Sequence, residues 1–360
     1  MSKVKFGDIV KDVKINVDRD NNPYEFYVAG DHMDSEDLNI RRRGKFATDD
    51  VGPAFTRIFK IGQVLYGSRR TYLKKVAVAD FNGICANTTF VFESKDPAVF
   101  DQRLLPFLML SEGFTNWSIA HSKGSTNPYV LFSDLASYEF SLPSLAEQKV
   151  LAEKLWAAYE VKQSYLKMIA ATEEMVKAQF IEMFGDPTKN TKSLPSKKGE
   201  ELFVFSSGKA NTKSNLSKDF PYDCYGGNGT TGRSNQWLID YPTIVIGRVG
   251  EYCGCVHKTT GKVWITDNAI YIKEYKERTF CEDFLFYLMI FLDFHRLADE
   301  TGQPKITQRP LLMIDYIIPP MHLQEQFVAI AHQSDKSISE LRKSIDAIDK
   351  VIKSLINENL

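Results

Sequence analysis

Tyr138-Glu139-Phe140-Ser141-Leu142-Pro143, then Glu147-Gln148, then a long helical pattern: this order returns as Asp315-Tyr316-Ile317-Ile318-Pro319-Pro320, Glu325-Gln326 and a second long helical pattern. Glu147 and Glu325 lie 178 residues apart, about half of a 360-residue chain. Gly124 in the polar loop Lys123-Gly124-Ser125-Thr126-Asn127-Pro128 and Gly302 in Thr301-Gly302-Gln303-Pro304-Lys305-Ile306 repeat the same offset of 178. A period this long exceeds the roughly 20–50 residues of solenoid repeats. It describes two copies of a module, each closed by a helix.

Working outward, each copy holds short apolar runs broken by turn residues. Lys60-Ile61-Gly62-Gln63-Val64-Leu65-Tyr66-Gly67-Ser68 predicts a strand closing on a glycine turn, and Tyr241–Gly250 is its counterpart. Cys85–Phe92 answers to Ile265–Ile272, both rich in β-branched and aromatic residues that favour strands. Leu104–Leu110 and Phe284–Met289 predict short helices. In the closing helix of the second copy, Phe327, Ala331, Ser334, Ile338, Leu341, Ile345, Ile348, Ile352 and Leu355 alternate by four and three, a coiled-coil seam. The first closing helix carries Leu151, Leu155 and Ala158, then shifts register to Val161, Tyr165, Met168, Thr172 and Met175, and stops at Gly185-Asp186-Pro187. Neither stripe is stable in water, so the helices are expected to pair antiparallel with each other, the alternative being pairing between two copies of the chain.

The expected fold class is α+β: two similar mixed α/β domains, each followed by a long helix. The expected boundaries are 1–143 and 188–320 for the domains, and 144–187 and 321–360 for the helices. Hydrophobic residues at 43% and charged residues at 25% are ordinary for a globular protein. No apolar run reaches membrane-spanning length and the start of the chain lacks a signal-peptide pattern, so a cytoplasmic protein with no membrane partner is expected. Five cysteines suggest no disulfide framework, and Cys253-x-Cys255 has the wrong spacing for the usual zinc pair.

Net charge is −1, but from Arg41 to Lys75 ten basic residues face only Asp49 and Asp50, a local +8 interleaved with Phe55, Phe59, Tyr66 and Tyr72. That pattern fits a phosphate backbone. Arg41, Arg42, Arg43, Lys74 and Lys75 are expected to contact phosphates. Arg69, Arg70, Arg233 and Arg248 follow turns and are candidates for guanine edges. Lys123 and Lys305 sit in loops that the common offset makes equivalent. Catalytic chemistry has no positive signal. Gly227-Asn228-Gly229-Thr230-Thr231-Gly232-Arg233-Ser234 has phosphate-loop spacing, but Arg233 stands where lysine is required and Asn235-Gln236-Trp237 is a poor helix start. It is better read as a turn, or a loop offered to a ligand, among Tyr222, Tyr225 and Trp237. Asn127-Pro128-Tyr129 lacks a proline of the adenine-methyltransferase signature, and the six histidines have no metal-ligand spacing. No cofactor and no metal are expected.

The layout resembles the specificity subunit of type I restriction–modification systems. The likeness rests on the duplicated segments, on the Leu142-Pro143 to Glu147-Gln148 and Pro319-Pro320 to Glu325-Gln326 boxes, and on Met183-Phe184-Gly185-Asp186-Pro187, and it spans the whole chain. The resemblance implies a non-catalytic subunit. Each globular half would be a target recognition domain reading one half of a bipartite double-stranded DNA site, with the antiparallel helices as the ruler. The expected helix-pairing seam is Leu151, Leu155, Tyr165, Met168, Ile338, Leu341, Ile345, Ile348 and Ile352. The resemblance also implies that methyltransferase subunits, two by expectation, dock on the two helices, with motor–nuclease subunits joining that core. The competing reading is a coiled-coil scaffold that binds only proteins; a solitary methyltransferase or nuclease is the third.

Overall fold

A computed structural model describes residues 2–18, 21–212, 215–299 and 302–360, so Met1 and Thr301 lie outside the described residues. The chain divides into two units, Met1–Leu166 with Arg342–Leu360, and Lys167–Leu341. Each unit therefore contains a stretch of both long helices. Among the described residues no helix is long and apolar enough to cross a membrane.

The first unit runs β1 (Ser2–Lys5), α1 (Phe6–Ile9), β2 (Val10–Asp12), β3 (Phe26–Val28), β4 (Gly44–Lys45), β5 (Phe55–Phe59), β6 (Val64–Gly67), β7 (Val76–Val78), β8 (Gly83–Ala86), β9 (Thr89–Ser94), α2 (Leu105–Leu110), α3 (Glu112–Ala120), α4 (Phe132–Ala136), β10 (Glu139–Leu142) and the start of α5 (Leu145–Phe184). The second continues with β11 (Ser196–Lys198), α6 (Gly199–Leu202), β12 (Phe203–Ser207), β13 (Tyr222–Gly226), β14 (Gly229–Ser234), β15 (Ile244–Gly247), β16 (Val256–Lys258), β17 (Val263–Ile265), β18 (Ala269–Tyr275), α7 (Glu282–Phe291), α8 (Gln308–Met313), β19 (Asp315–Ile317) and α9 (Met321–Asn359), whose end belongs to the first unit.

Both units solve the same packing problem. In the first, a sheet of order β2-β9-β6-β7 has both faces covered. Val64 and Tyr66 face a core with Phe6, Phe92, Phe107 and Phe114, while Leu65, between them, faces another with Phe59, Cys85 and Val91. Side chains alternate across a strand, so burial on both faces demands an unbroken apolar run such as Val64-Leu65-Tyr66. The second core is closed by a sheet of order β4-β3-β8-β5, in which β3 and β8 are parallel. In the second unit the central sheet is β12-β18-β15-β16 and the smaller one β14-β13-β17, with β13 and β17 parallel. Ile244 and Ile246 face one core, and Val245 the other. The sheet β4-β3-β8-β5 of the first unit has four strands against three in its counterpart β14-β13-β17, and the additional strand, β5, falls in the longer Arg41–Lys75 segment.

The quoted boxes have structural jobs. β10 pairs antiparallel with β1, Ser2 opposite Leu142, and β19 pairs in the same way with β11. Ser144 caps α5: its backbone N–H and its hydroxyl both donate to Glu147 at 2.8 Å, a capping box that supplies acceptors where the helix start lacks them. Gln148, 1% exposed, donates to the carbonyls of Val99 and Pro143 and accepts from the Asp101 N–H. Gln324, fully buried, does the same with Thr279, Pro319 and Cys281. The counterpart of Gln148 is therefore Gln324; Gln326, which the sequence pattern pairs with it, is exposed.

The helices pair antiparallel. Within the first unit the start of α5 packs on the end of α9, with Leu151, Leu155, Tyr159 and Ile356 in one cluster. Within the second, the end of α5 packs on the start of α9, with Phe180 and Phe327 edge to face at 5.2 Å between centroids. Of the expected seam, Leu151, Leu155 and Ile345 are buried, while Tyr165, Ile338, Leu341, Ile348 and Ile352 are half-buried. Met168 is a correction: it is 52% exposed and Ile169 is buried in its place. The expected register shift arose because position 162 is polar. Lys162 holds that place on α5, and its ammonium meets Asp349 on α9 at 2.6 Å. The buried positions then run Leu155, Tyr159, Ile169, Val176 and Phe180, with Lys162 between, and the shift disappears. Gly185, at φ 76°, ends α5, and its N–H bonds the Ile181 carbonyl at 2.8 Å.

Candidate nucleic-acid interface

Most of the basic segment is neutralised locally. Asp31, Asp34, Glu36 and Asp37 stand just before the cationic run that begins at Arg41, and this stretch folds back onto it. Arg41 pairs with Asp37 at 2.7 Å and bonds Gln163. Arg42 pairs with Asp34 and bonds the Asp31 carbonyl. Lys74 pairs with Glu36 at 2.6 Å, and Lys75 bonds the Gly30 carbonyl. Arg43 lies over the Phe26 ring, 4.0 Å from its centroid, a cation–π contact. Arg57 is half-buried and pairs with the Asp12 carboxylate at 3.0 Å. The +8 of the sequence window thus overstates the field available to a ligand.

Tyr159 of α5 organises this region. It donates to Asp37 at 2.5 Å and accepts from the Leu38 N–H and the Asn39 amide. Burial, then Asp37, hold its phenol well above the ordinary tyrosine range. Burial pushes the Asp37 carboxyl up, but bonds from Arg41 and Tyr159 outweigh it and hold the group below its usual value. Lys74 likewise holds Glu36 low through its hydrogen bond. These are the electrostatics of a docked loop, not of proton-transfer chemistry.

Arg69 and Arg70 differ from the rest. Both are exposed, and neither side chain has a hydrogen-bond or ion-pair partner among the described residues. They lie on the β6–β7 loop, which is tied into a junction of three segments. The Ser68 N–H bonds the Thr88 carbonyl, the Arg70 N–H bonds that of Pro128 at 2.6 Å, and the Val130 N–H bonds that of Ser68. The polar loop 123–129 is closed by paired bonds between Lys123 and Tyr129. Pro128 and Tyr129 thus belong to a structural turn, and Lys123 pairs with Asp134 at 3.2 Å.

The second unit repeats this junction bond for bond. The Arg248 N–H bonds the Asn268 carbonyl, the Gly250 N–H that of Pro304, and the Ile306 N–H that of Arg248, while Asp299 and Lys305 close the polar loop. Lys305 therefore corresponds to Tyr129, and Asp299 to Lys123: the two polar loops are equivalent, with their lysines at opposite ends of the closing pair. Lys305 is exposed. Arg248 bonds the Asp267 carbonyl at 3.2 Å, and Arg233 bonds that of Pro221 at 2.6 Å with Asp223 at 3.9 Å.

The glycine-rich stretch is the β13–β14 hairpin, with Gly226 opposite Gly229. A strand follows where a phosphate loop needs a helix. Tyr225 is buried, but Trp237 is 46% exposed beside Tyr222, with Lys262 above its ring at 4.6 Å. Lys262 is an isolated cation in the sequence, and only the fold brings it to Trp237. Among the described residues all five cysteines are free and no group of His, Cys, Asp or Glu is arranged to hold a metal.

A family model for the type I restriction modification DNA specificity domain matches residues 3–164 and again residues 195–350. The type I restriction enzyme EcoprrI specificity subunit of Escherichia coli is 25% identical over 129 residues, 35% of this chain and 32% of that protein. The EcoDI specificity subunit of Escherichia coli is 27% identical over 133 residues, 37% of this chain and 29% of that protein. The chain spans about a third of the length of these curated relatives. Among solved structures, the S subunit of a type I restriction-modification system from M. genitalium superposes with TM-score 0.57 at 16% identity, covering 100% of this chain and 96% of that one. A chain from the type I R-M system, solved for its complex assembly and conformational transition, gives 0.51 at 19% identity, covering 100% and 98%. These two share the fold.

Proposed function

Since the chain belongs to the type I restriction modification DNA specificity family, we propose that it is the subunit that selects the DNA target of such a system. Each unit reads one half of a bipartite duplex site, and the paired helices serve as spacer and as the docking surface for methyltransferase subunits, two by symmetry of the repeat. Motor–nuclease subunits join through that methyltransferase core. The chain chooses the site, and its partners carry out the chemistry.

The observation that supports this reading best is the duplication itself. The family model matches twice, and the two matched segments repeat the same hydrogen-bonded junction around Ser68 and Arg248. A scaffold that binds only proteins needs no such repeat of an exposed loop system. DNA contact falls first to Arg69, Arg70 and Lys305, which have no acidic partner among the described residues. Arg233 and Arg248, bonded to carbonyls, keep donors to spare, as a guanidinium has five. Arg41, Arg42, Lys74 and Lys123 must exchange a carboxylate for a phosphate, and Lys75 and Arg43 a carbonyl and a ring, so they are secondary contacts.

Deleting the gene for this chain from its host and mapping methylated bases tests the reading. The expected result is the loss of one bipartite methylated sequence with every other modification intact. A methylation map unchanged by the deletion would sink it.

A further inference from the structure

The β6–β7 loop Gly67–Lys75 and its counterpart Gly247–Cys255 share one backbone. Gly67 N–H bonds the Lys75 carbonyl and Gly247 N–H that of Cys255; Leu73 N–H bonds Arg70 and Cys253 N–H bonds Gly250. Two positions in this backbone are left-handed. In the second unit both are glycine, Gly250 at φ 84° and Gly254 at φ 90°. In the first they are Arg70 at φ 50° and Lys74 at φ 48°. Glycine adopts this region freely, whereas a residue with a Cβ is strained there. Lys74 has an evident reason to stay, its ion pair with Glu36. Arg70 has none inside the described residues: its side chain is exposed and unpartnered, beside the equally free Arg69. Each loop also carries an exposed tyrosine at the same place, Tyr72 at 53% and Tyr252 at 46%. Strain kept at an exposed, unpartnered cation points outward, to a ligand.

We propose that these two loops are the DNA-contacting elements of the two units, and that Arg70 is held left-handed because its guanidinium binds the phosphates of duplex DNA. This rests on the DNA-recognition reading above. The loops differ in charge: Gly67–Lys75 holds Arg69, Arg70, Lys74 and Lys75 with no acidic residue, whereas Gly247–Cys255 holds Arg248 against Glu251 and is neutral. The first unit's loop therefore supplies most of the salt-dependent attraction, and the second contributes chiefly through Tyr252, with Arg248 its single cation.

The decisive variant is Arg70→Gly in the full chain, with a random-sequence duplex as probe over a series of salt concentrations. The backbone there already suits glycine, so Tm is expected to hold or to rise by up to roughly 3 °C. Affinity for the duplex is expected to fall roughly 5- to 100-fold, and the slope of log affinity against log salt to shrink by about 1. Tyr252→Ala is expected to weaken binding and leave the slope unchanged. If the wild-type chain binds with salt sensitivity and Arg70→Gly matches it in affinity and slope, the loop inference is overturned while the DNA reading stands. Weakened binding accompanied by a lowered Tm and partial unfolding of Arg70→Gly at the assay temperature overturns it as well, since Arg70 would then be serving the fold. A wild-type chain with no salt-sensitive binding overturns the DNA reading, and this inference with it.

Discussion

Lys162 on α5 and Asp349 on α9 form an ion pair at 2.6 Å inside the helix seam of the first unit, with side chains 20% and 37% exposed. A half-buried pair gains Coulomb energy but pays desolvation, so its net value is small while the cost of breaking it is larger. Asp349→Leu alone should lower stability by about 1–2 kcal/mol, because the Lys162 ammonium loses its partner in the seam. Lys162→Met with Asp349→Leu should recover most of that loss. A double-mutant cycle in chemical denaturation checks it; strictly additive losses would mean the pair is not coupled.

Gln324 and Gln326 separate two registers of the repeat. Gln324→Leu leaves the Thr279 and Pro319 carbonyls and the Cys281 N–H without their partner in a buried site. At about 1–3 kcal/mol for a buried group left unsatisfied, the loss should be about 2–4 kcal/mol once part of it is relieved by relaxation. Gln326→Leu, on an exposed position, should cost under about 0.5 kcal/mol. Urea midpoints of the two variants decide between the registers.

That register explains what the sequence could and could not reveal. The strands, the small helices and both long helices were legible because apolar runs and seams are local patterns. The alignment was not. The central strands of the two units differ by 180 residues, Ser68 to Arg248, and the polar loops and helix starts by 176, Pro128 to Pro304 and Gln148 to Gln324. The offset of 178 lies midway: glutamine stands at both 324 and 326, so Glu147-Gln148 matches Glu325-Gln326, two residues past the true partner. Side-chain bonding, which the letters do not carry, identifies the true partners. The candidate interface was half legible for a similar reason. The cations were visible, but their pairing with Asp34, Glu36 and Asp37 needed the fold, as did the left-handed turn that distinguishes Arg70.

Asp37 should give the chain a measurable acid sensitivity. Burial raises its pKa, but the bonds from Arg41 and Tyr159 prevail and the folded value lies below the ordinary one. A carboxyl depressed in the folded state contributes stability above its unfolded pKa, about 3.9, and that contribution is lost as pH falls through the folded value. Stability of the wild type should therefore drop more steeply below about pH 4 than that of Asp37→Asn. Thermal melts between neutral and acid pH provide the comparison; parallel curves would remove Asp37 from the account.

Phe180 links three helices of the second unit, and its loss should expose the unit's independence. Its ring lies 5.2 Å from Phe327 on α9, 4.8 Å from Phe291 and 5.8 Å from Phe284 on α7, fully buried. Phe180→Ala opens a cavity among rigid aromatic neighbours that have little room to collapse, at about 3–5 kcal/mol. The first unit has its own core around Phe6, Phe92 and Phe114, which contains no part of this cluster. Scanning calorimetry of the variant should then resolve two transitions, with the lower one assigned to the second unit by amide exchange in 167–341. One transition shifted as a whole would mean that the two cores unfold as a single cooperative block, through the helices that both units share.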